Sequence, residues 1–248
     1  MVKIHAFGDS FIVGDQDDFL EEIPKNIKPV HNMHYDERVE YLKYNVSFVS
    51  IIAKHLNLEL VNYAVRGSGN YPQLDKLWLN LLSGNIKEND IVLFGFTTSG
   101  RDRIQAMFCE KVVANNYGES IIDRKLLKEG PSSSIFEADH FYVLSILEML
   151  SKKFNVRIIK FNLFDNALDY SNDSIRHLYD FTDFIGHDIK GNTLIDIIND
   201  TWGVGIKNPQ HTLLDIPRGY EKYYSRLKHP SEEGHKKIAE WFLQHVKI

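Results

Sequence analysis

Two short segments at opposite ends of the chain contain residue types that together could perform acyl transfer. Gly8-Asp9-Ser10 follows the short apolar run 3–7, and His229-Pro230 precedes an amphipathic stretch that ends near Val246. A serine hydroxyl is a weak nucleophile, and a histidine that takes its proton activates it. Taken alone, Gly-Asp-Ser is typical of a turn or a helix N-cap, because Asp and Ser hydrogen-bond nearby backbone groups. The pair of segments, rather than either one, indicates chemistry.

Both segments resemble the conserved blocks of the SGNH (GDSL-type) hydrolase family. In that family an amino-terminal Gly-Asp-Ser supplies the nucleophile, and a carboxyl-terminal His-Pro supplies the catalytic base. The resemblance implies that Ser10 attacks an ester or acetyl carbon and that His229 acts as general base and then as general acid. It also implies that Asp9 supports the turn and is not the triad acid. For His235, in the first turns of the last helix, packing is the expected role.

The resemblance places the oxyanion donors in two further segments. A glycine N–H is the donor in the family's second block, and Asn62 followed five positions later by Gly67 resembles that block, with Gly69 as the register alternative. The family's third block, Gly-x-Asn-Asp, supplies an asparagine side chain, but here Gly95 is followed by Thr97 at that position. We therefore expect an oxyanion hole made of the N–H groups of the nucleophile and of Gly67, with Thr97 as a weaker third donor.

The third member of the triad departs from the family pattern. Where the family has an aspartate three residues before the histidine, this chain has Arg226, which cannot accept the imidazole proton. Three alternatives remain open. In the first, His229 donates a hydrogen bond to a backbone carbonyl, which gives a Ser-His dyad. In the second, an acid from elsewhere in the chain, such as Asp215 or Glu221, accepts that hydrogen bond. In the third, the site binds a ligand without catalysing a reaction.

Two arginines follow the third predicted strand and could contact a substrate. Arg101 and Arg103 come soon after Thr97, and guanidinium groups suit a substrate carboxylate or phosphate. Their role as surface charges at the start of a helix is about equally compatible with the sequence. Asp9, beside Ser10, is a third candidate for contact with the substrate.

The elements that must hold these residues alternate between strand and helix. Apolar runs predict strands at 3–7, 58–64, 90–96 and 156–161, and helical periodicity predicts helices at 45–55, 71–82, 141–150 and after residue 231. This alternation predicts an α/β fold, a three-layer α/β/α sandwich with a mostly parallel, flavodoxin-like sheet of about five strands. Because the carboxyl ends of parallel strands meet at one edge, the candidate residues are expected to converge there.

We expect one domain over residues 1–248, with insertions near 14–44, 115–140 and 162–226. The first and second are polar and lack clear periodicity, and the third is expected to cover the site as a cap. Short helices are predicted within the third, near 173–178 and 193–199.

Composition excludes several classes of protein. Hydrophobic residues make up 43% of the chain and the formal net charge is -5, which is ordinary for a globular protein and does not favour nucleic-acid binding. Cys109 is the sole cysteine, so no internal disulfide can form. No apolar run reaches the roughly 20 residues of a membrane helix, and no signal peptide is visible, so a cytoplasmic location is expected. His31 and His34 lack a third ligand, so we expect no metal and no cofactor.

The expected function is metal-independent hydrolysis of an ester, with O-acetyl groups on a carbohydrate as the finer hypothesis. Tyrosines that could stack on sugar rings support the finer hypothesis, although the same residues could equally be packing residues: Tyr71, Tyr220, Tyr223 and Tyr224. The alternative is a catalytically silent binding module on the same scaffold, with a small-molecule or carbohydrate ligand. A flavodoxin-like nucleotide binder is disfavoured, because no phosphate-binding glycine motif follows the first strand.

Overall fold

Parallel strands form one sheet at the centre of the chain. The structure is a computed structural model that describes residues 2–14, 34–97, 133–163, 183–185, 193–203, 218–225 and 229–248. Its strands are β1 (Lys3–Phe7), β2 (Glu59–Asn62), β3 (Ile91–Phe96), β4 (Arg157–Asn162) and β5 (Phe184–Ile185). They pair in the order β2-β1-β3-β4-β5, which is the flavodoxin-like order. The predicted fold class and number of strands are confirmed.

Helices pack on the sheet, and in the described part of the chain the first five lie between strands while the last two follow β5. They are α1 (Ser10–Val13), α2 (Tyr35–Asn45), α3 (Phe48–His55), α4 (Asn70–Leu82), α5 (Ser133–Phe154), α6 (Leu194–Ile198) and α7 (Glu232–His245). A short 3-10 helix, Glu221–Tyr223, precedes α7.

The sheet is covered on both faces, which gives three layers. Every residue of β3 is buried, as expected for a central strand of a parallel sheet. Its alternate residues Ile91 and Leu93 enter a core with residues of α3, α6 and α7. Val92 and Phe94 enter a second core with residues of α4 and α5. The helices on each face therefore fix where the carboxyl ends of the strands lie.

The register brings those carboxyl ends to one edge. Ala6 of β1 is paired with Asn62 of β2 and with Leu93 of β3, and Phe96 of β3 is paired with Asn162 of β4. Consequently, the segments that follow β1, β2 and β3 leave the sheet side by side, and these segments contain Ser10, Gly67 and Thr97.

The first two predicted insertions each end in a helix. The helix α2 lies at the end of the segment 14–44, which we predicted to be irregular. Its inner face includes Val39 and Leu42 among charged residues, and this sparse pattern explains why periodicity did not indicate a helix. The end of the segment 115–140 belongs to α5, which begins at Ser133, eight residues before the predicted helix. Residues 15–33 and 98–132 lie outside the described residues.

The described parts of the third predicted insertion include a strand of the sheet and a core helix, which corrects the expectation of a cap for those two elements. Within 162–226, β5 extends the sheet, and α6 confirms the helix predicted over 193–199. Leu194, Ile197 and Ile198 of α6 are buried in the same core as Phe242 of α7. The helix predicted at 173–178 lies outside the described residues. Among the helices that the structure describes, none is long and apolar enough to cross a membrane.

Candidate active site

The turn after β1 presents Ser10 at the edge of the sheet. Gly8 has φ +153°, and a Cβ there would lie 2.5 Å from Ile12 Cγ1, so the turn requires glycine. Asp9 is the N-cap of α1, and its Oδ1 accepts a hydrogen bond from the Phe11 N–H at 3.0 Å. Ser10 is the first residue of α1 and is 5% exposed. The local geometry therefore fixes the backbone of the serine before any tertiary contact is considered.

A small hairpin before α7 holds His229. The Ser225 N–H donates to the His229 carbonyl at 2.7 Å, and the Ser231 N–H donates to the Tyr223 carbonyl at 2.8 Å. Ser231 then caps α7 by accepting from the Gly234 N–H at 3.2 Å. The histidine thus has a fixed position between the 3-10 helix and α7.

The structure brings the two motif residues together. Ser10 Oγ lies 2.9 Å from His229 Nε2, which is hydrogen-bonding distance. The imidazole also packs on the Phe11 ring, with ring centroids 5.4 Å apart and a 58° angle between the planes. A histidine nitrogen at this distance can take the serine proton as the oxygen attacks.

His235 is a neutral, buried neighbour of this pair. Its Nδ1 accepts a hydrogen bond from the Phe48 N–H at 3.3 Å, so Nε2 carries the ring proton. Burial, together with the nearby His229, lowers the pKa of His235 to about 3. The residue packs against the Phe48 ring and has no part in the hydrogen bond between Ser10 and His229.

The turn after β2 carries the two glycines considered for the oxyanion hole. Gly67 has φ +69°, in the left-handed region, whereas Gly69 is the N-cap residue of α4 with an ordinary extended backbone. The Val65 N–H donates to the Gly8 carbonyl at 3.1 Å and ties this turn to the nucleophile turn. Since Gly67 is exposed next to that junction, it remains the preferred candidate.

Thr97 makes different contacts from those predicted. Its hydroxyl donates to Asp9 Oδ2 at 3.1 Å, and its backbone N–H donates to Asn70 Oδ1 at 2.9 Å. A hydroxyl has a single proton, so a Thr97 hydroxyl engaged with Asp9 has none to give to an oxyanion. Asp9 itself is fully buried, which fits a supporting role in the turn better than contact with a substrate.

The structure describes only one of the two candidate triad acids. Glu221 is exposed, and its Oε2 accepts from the Gly219 N–H at 2.8 Å, without a hydrogen bond to His229. The other residues named from the sequence lie outside the described residues: Asp215, Arg226, Arg101 and Arg103.

Two buried side-chain amides near the site were not identified from the sequence. Asn70 brackets the backbone of Thr97, since its Nδ2 also donates to the Thr97 carbonyl at 3.2 Å. Gln73 accepts from the Gly8 N–H at 3.2 Å and donates to Ser68 Oγ at 2.8 Å. The only signal in the sequence was a pair of amides three positions apart after a glycine turn, a pattern too common to single out.

The tyrosines proposed for sugar stacking make mostly structural contacts. Tyr224 is buried, and its hydroxyl donates to Asn199 at 2.7 Å. Tyr220 and Tyr223 pack against the Lys237 ammonium group, at 5.1 and 4.6 Å from the ring centroids. Tyr71, by contrast, is half-buried at the start of α4.

Tyr71 forms an aromatic pair with a residue of α5. Its ring centroid lies 5.9 Å from that of Tyr142, which is 55% exposed. Both residues lie in the amino-terminal half of a helix that leads into the next strand, so both are near the sheet edge that carries Ser10.

No group of residues in the described part of the chain has the composition of a metal site. His34 is the N-cap residue of α2, and His31 lies outside the described residues.

Comparison with known proteins finds structural similarity only. No protein-family model matches the chain, and no curated protein matches it. Among solved structures, a member of the lipolytic protein G-D-S-L family from Veillonella parvula matches with a TM-score of 0.48 and 12% identity, over 99% of this chain and 98% of that one. A putative GDSL-like lipase from Parabacteroides merdae matches with a TM-score of 0.49 and 14% identity, over 98% and 94%.

A variant of the acetyl xylan esterase Axe2 from Geobacillus stearothermophilus also matches. Its TM-score is 0.37 and its identity 11%, over 100% of this chain and 96% of that one. At such identities and TM-scores, the chemistry of this chain has to be argued from its own residues.

Proposed function

We propose that this chain is a serine hydrolase of the SGNH type that cleaves a small ester through Ser10 and His229. The distance of 2.9 Å between Ser10 Oγ and His229 Nε2 is the single observation that carries the proposal. Supporting it, the serine lies on a turn whose backbone only glycine permits, at the sheet edge where such folds bind ligands.

The proposed reaction has two halves. His229 Nε2 accepts the hydroxyl proton as Ser10 Oγ bonds to the acyl carbon, and the carbonyl π electrons move to oxygen. The tetrahedral intermediate then collapses, and the departing alkoxide takes the proton from the imidazolium and leaves as an alcohol. Water next attacks the acyl-serine with His229 as base, and a carboxylic acid departs while Ser10 regains its proton.

The oxyanion hole is proposed to have two backbone donors. They are the Ser10 N–H, which as the first N–H of a helix has no intrahelical acceptor, and the Gly67 N–H. The Thr97 hydroxyl is left out, because it donates to Asp9. Losing one such donor has cost about 2.7 to 4 kcal/mol of transition-state stabilisation elsewhere, so we expect a slower enzyme than one with three donors.

We propose that the imidazole is oriented either by a backbone carbonyl, in a dyad, or by an acid, for which Asp215 is preferred to Glu221. Glu221 is the weaker candidate, since its carboxylate is exposed and bonded to Gly219. We retain Asp215 as the preferred candidate for the triad acid.

For the substrate, we propose O-acetyl groups on a carbohydrate. The pair formed by Tyr71 and the exposed Tyr142 supports this choice, because aromatic rings near the carboxyl edge could stack on a sugar. Acetate release from an acetylated xylo-oligosaccharide tests it. Tyr142→Ala should raise KM for that substrate and leave KM for an aryl acetate unchanged. If the wild type and Tyr142→Ala have the same KM for the oligosaccharide, the proposed substrate is contradicted.

The decisive experiment is hydrolysis of 4-nitrophenyl acetate by the wild type and by Ser10→Ala. The matched control is Ser83→Ala, which removes an exposed hydroxyl at the end of α4. We expect turnover in the wild type and the control, and only background in Ser10→Ala. Equal rates in all three would overturn the proposal.

A silent binding module is the second candidate, and the engagement of Thr97 with Asp9 favours it, because it leaves one fewer oxyanion donor. This candidate predicts that calorimetry detects binding of the acetylated oligosaccharide while no acetate is released. Turnover that depends on Ser10 would exclude it.

A further inference from the structure

The first turn of α4 contains two buried side-chain amides that the proposed reaction does not use. Asn70 is 2% exposed and Gln73 is 1% exposed. Residues three apart on a helix share a face, so both amides point toward the same side. Gln73 contacts the nucleophile turn directly, and Asn70 is connected to it through Thr97 and Asp9.

Gln73 links the nucleophile turn to the turn that carries Gly67. Its Oε1 accepts from the Gly8 N–H at 3.2 Å, and its Nε2 donates to Ser68 Oγ at 2.8 Å. The Val65 N–H donates to the Gly8 carbonyl at 3.1 Å and closes the connection from the other side. One amide therefore sets the spacing between the residue two before Ser10 and the residue after Gly67.

Asn70 fixes the loop after β3 to the same helix. Its Oδ1 accepts from the Thr97 N–H at 2.9 Å, and its Nδ2 donates to the Thr97 carbonyl at 3.2 Å. Thr97 in turn donates its hydroxyl to Asp9, whose carboxylate caps the helix that begins with Ser10. The contacts run from α4 through Thr97 and Asp9 back to the nucleophile.

We propose that Asn70 and Gln73 are positioning residues that fix the distance between the Ser10 nucleophile and the Gly67 N–H. This inference rests on the proposed hydrolase function. Without either amide, a buried backbone N–H loses its partner and its turn shifts to recover one. A shift of this kind moves the oxyanion donor relative to the nucleophile without touching the substrate.

The amides are not needed to hold α4 in place. Leu74, Leu77 and Leu81 of the same helix are buried in the core between the helix and the sheet. The helix is therefore anchored by apolar contacts, and its two buried amides can act on the catalytic turns.

The test compares Gln73→Ala and Asn70→Ala with a control on the same helix. Asn80→Ala is the control, since the Asn80 amide donates to the Lys76 carbonyl at 2.8 Å, within α4. We measure kcat and KM for 4-nitrophenyl acetate, with active sites titrated by a fluorophosphonate, and Ki for a boronic acid that mimics the tetrahedral intermediate. Misplacement by about 1 Å can cost 10²-fold, so we expect kcat to fall by about that factor while KM is kept.

A positioning role also predicts that Ki for the boronic acid rises in parallel with the fall in kcat, because both report the transition-state geometry. A purely structural role would lower the melting temperature and leave kcat per titrated site unchanged. That result would overturn the inference.

Two isosteric variants keep the inference testable if the alanine variants do not fold. Gln73→Glu retains the acceptor for the Gly8 N–H but loses the donor to Ser68 Oγ, whose own proton goes to the Gly69 carbonyl, so kcat should fall less than in Gln73→Ala. Asn70→Asp sets a carboxylate oxygen against the Thr97 carbonyl, so kcat should stay low. Wild-type kcat in both would overturn the inference. Equal turnover by the wild type and by Ser10→Ala would instead overturn the proposed function. The two failures are therefore distinguishable.

Discussion

Ser10 and His229 are 219 positions apart in the sequence and 2.9 Å apart in the fold. The serine turn depends on Gly8 and on Asp9, and the histidine depends on backbone hydrogen bonds from its own hairpin. Each residue is therefore placed by its local segment, and the sheet brings the two segments together. The catalytic proposal requires that the imidazole, and not merely its bulk, be present.

Replacing the imidazole should slow the reaction strongly. Proton transfer by a positioned side chain contributes about 10²- to 10⁴-fold, so we expect His229→Ala to lower kcat for 4-nitrophenyl acetate within this range. His55→Ala, which removes an exposed histidine at the end of α3, is the control. Equal kcat values in the two variants would show that His229 is not the base.

Glu221 should be dispensable. Because its carboxylate is exposed and bonded to the Gly219 N–H, Glu221→Gln should leave both kcat and its pH profile unchanged. A fall in kcat comparable with that of His229→Ala would instead identify Glu221 as the acid that orients the imidazole. The same assay with Asp215→Asn separates an atypical triad from a dyad.

At the residue scale, the sequence indicated the two motif residues but not the side chains that hydrogen-bond to the turns around them. Gly-Asp-Ser and His-Pro are local patterns, so Ser10 and His229 could be named without coordinates. The partners of Asn70, Gln73 and Thr97 come from loops after three different strands, and no local pattern specifies which amide meets which turn. Thr97 was predicted as an oxyanion donor for this reason, since nothing nearby in the sequence shows that Asp9 takes its proton.

Among the elements, α7 and the 3-10 helix before it determine where His229 lies. A Cβ at Gly234 would lie 2.3 Å from the Tyr223 carbonyl oxygen and 3.1 Å from Pro230 Cβ. The close approach of α7 to the hairpin therefore requires glycine at this position.

Gly234→Ala should disturb the site through this contact. The clash forces apart α7 and the segment around Pro230, and overpacking of this kind typically costs about 1–3 kcal/mol. We expect a lower free energy of unfolding in urea and a fall in kcat. Glu233→Ala, on the exposed face of the same helix, is the control. Wild-type kcat with wild-type stability would contradict the close packing described here.

Elements with strong apolar patterns were predictable, and those without them were not. Buried apolar runs mark the central strands, and apolar residues at helical spacing mark α4 and α7, so hydrophobic periodicity predicts these elements. The helix α2 has few apolar residues, and β5 is only two residues long, so its existence depends on pairing with β4. The prediction that 162–226 forms a cap was wrong for α6. The apolar face of this helix is small, and its burial depends on packing against α7, which the local sequence does not show.

For the whole molecule, buried histidines couple stability to pH. Burial lowers the pKa of His140 and of His235 to about 3, and burial also lowers the pKa of His5, against the opposing effect of Asp90. These side chains are neutral in the folded protein but bind protons near pH 6.5 when unfolded. The unfolded state therefore takes up more protons as the pH falls below 6.5, and stability falls with it.

We expect the free energy of unfolding to decrease between pH 6.5 and about 4, by up to about 1.4 kcal/mol per pH unit for His140 and for His235. Urea titrations across this range measure it. His140→Phe keeps an aromatic ring against Phe96, where the ring centroids are 4.2 Å apart. It should reduce the slope of the free energy of unfolding against pH by the contribution of about one proton. An unchanged slope would mean that His140 is protonated in the folded state.

The central claim is that Ser10 is a nucleophile activated by His229, and covalent labelling tests it most directly. The protein is treated with a fluorophosphonate, and the adduct is located by peptide mass spectrometry. We predict a single phosphonylated site at Ser10 in the wild type, strongly slowed labelling in His229→Ala, and none in Ser10→Ala. An unlabelled Ser10, or labelling of Ser10 at the same rate without His229, would contradict the account.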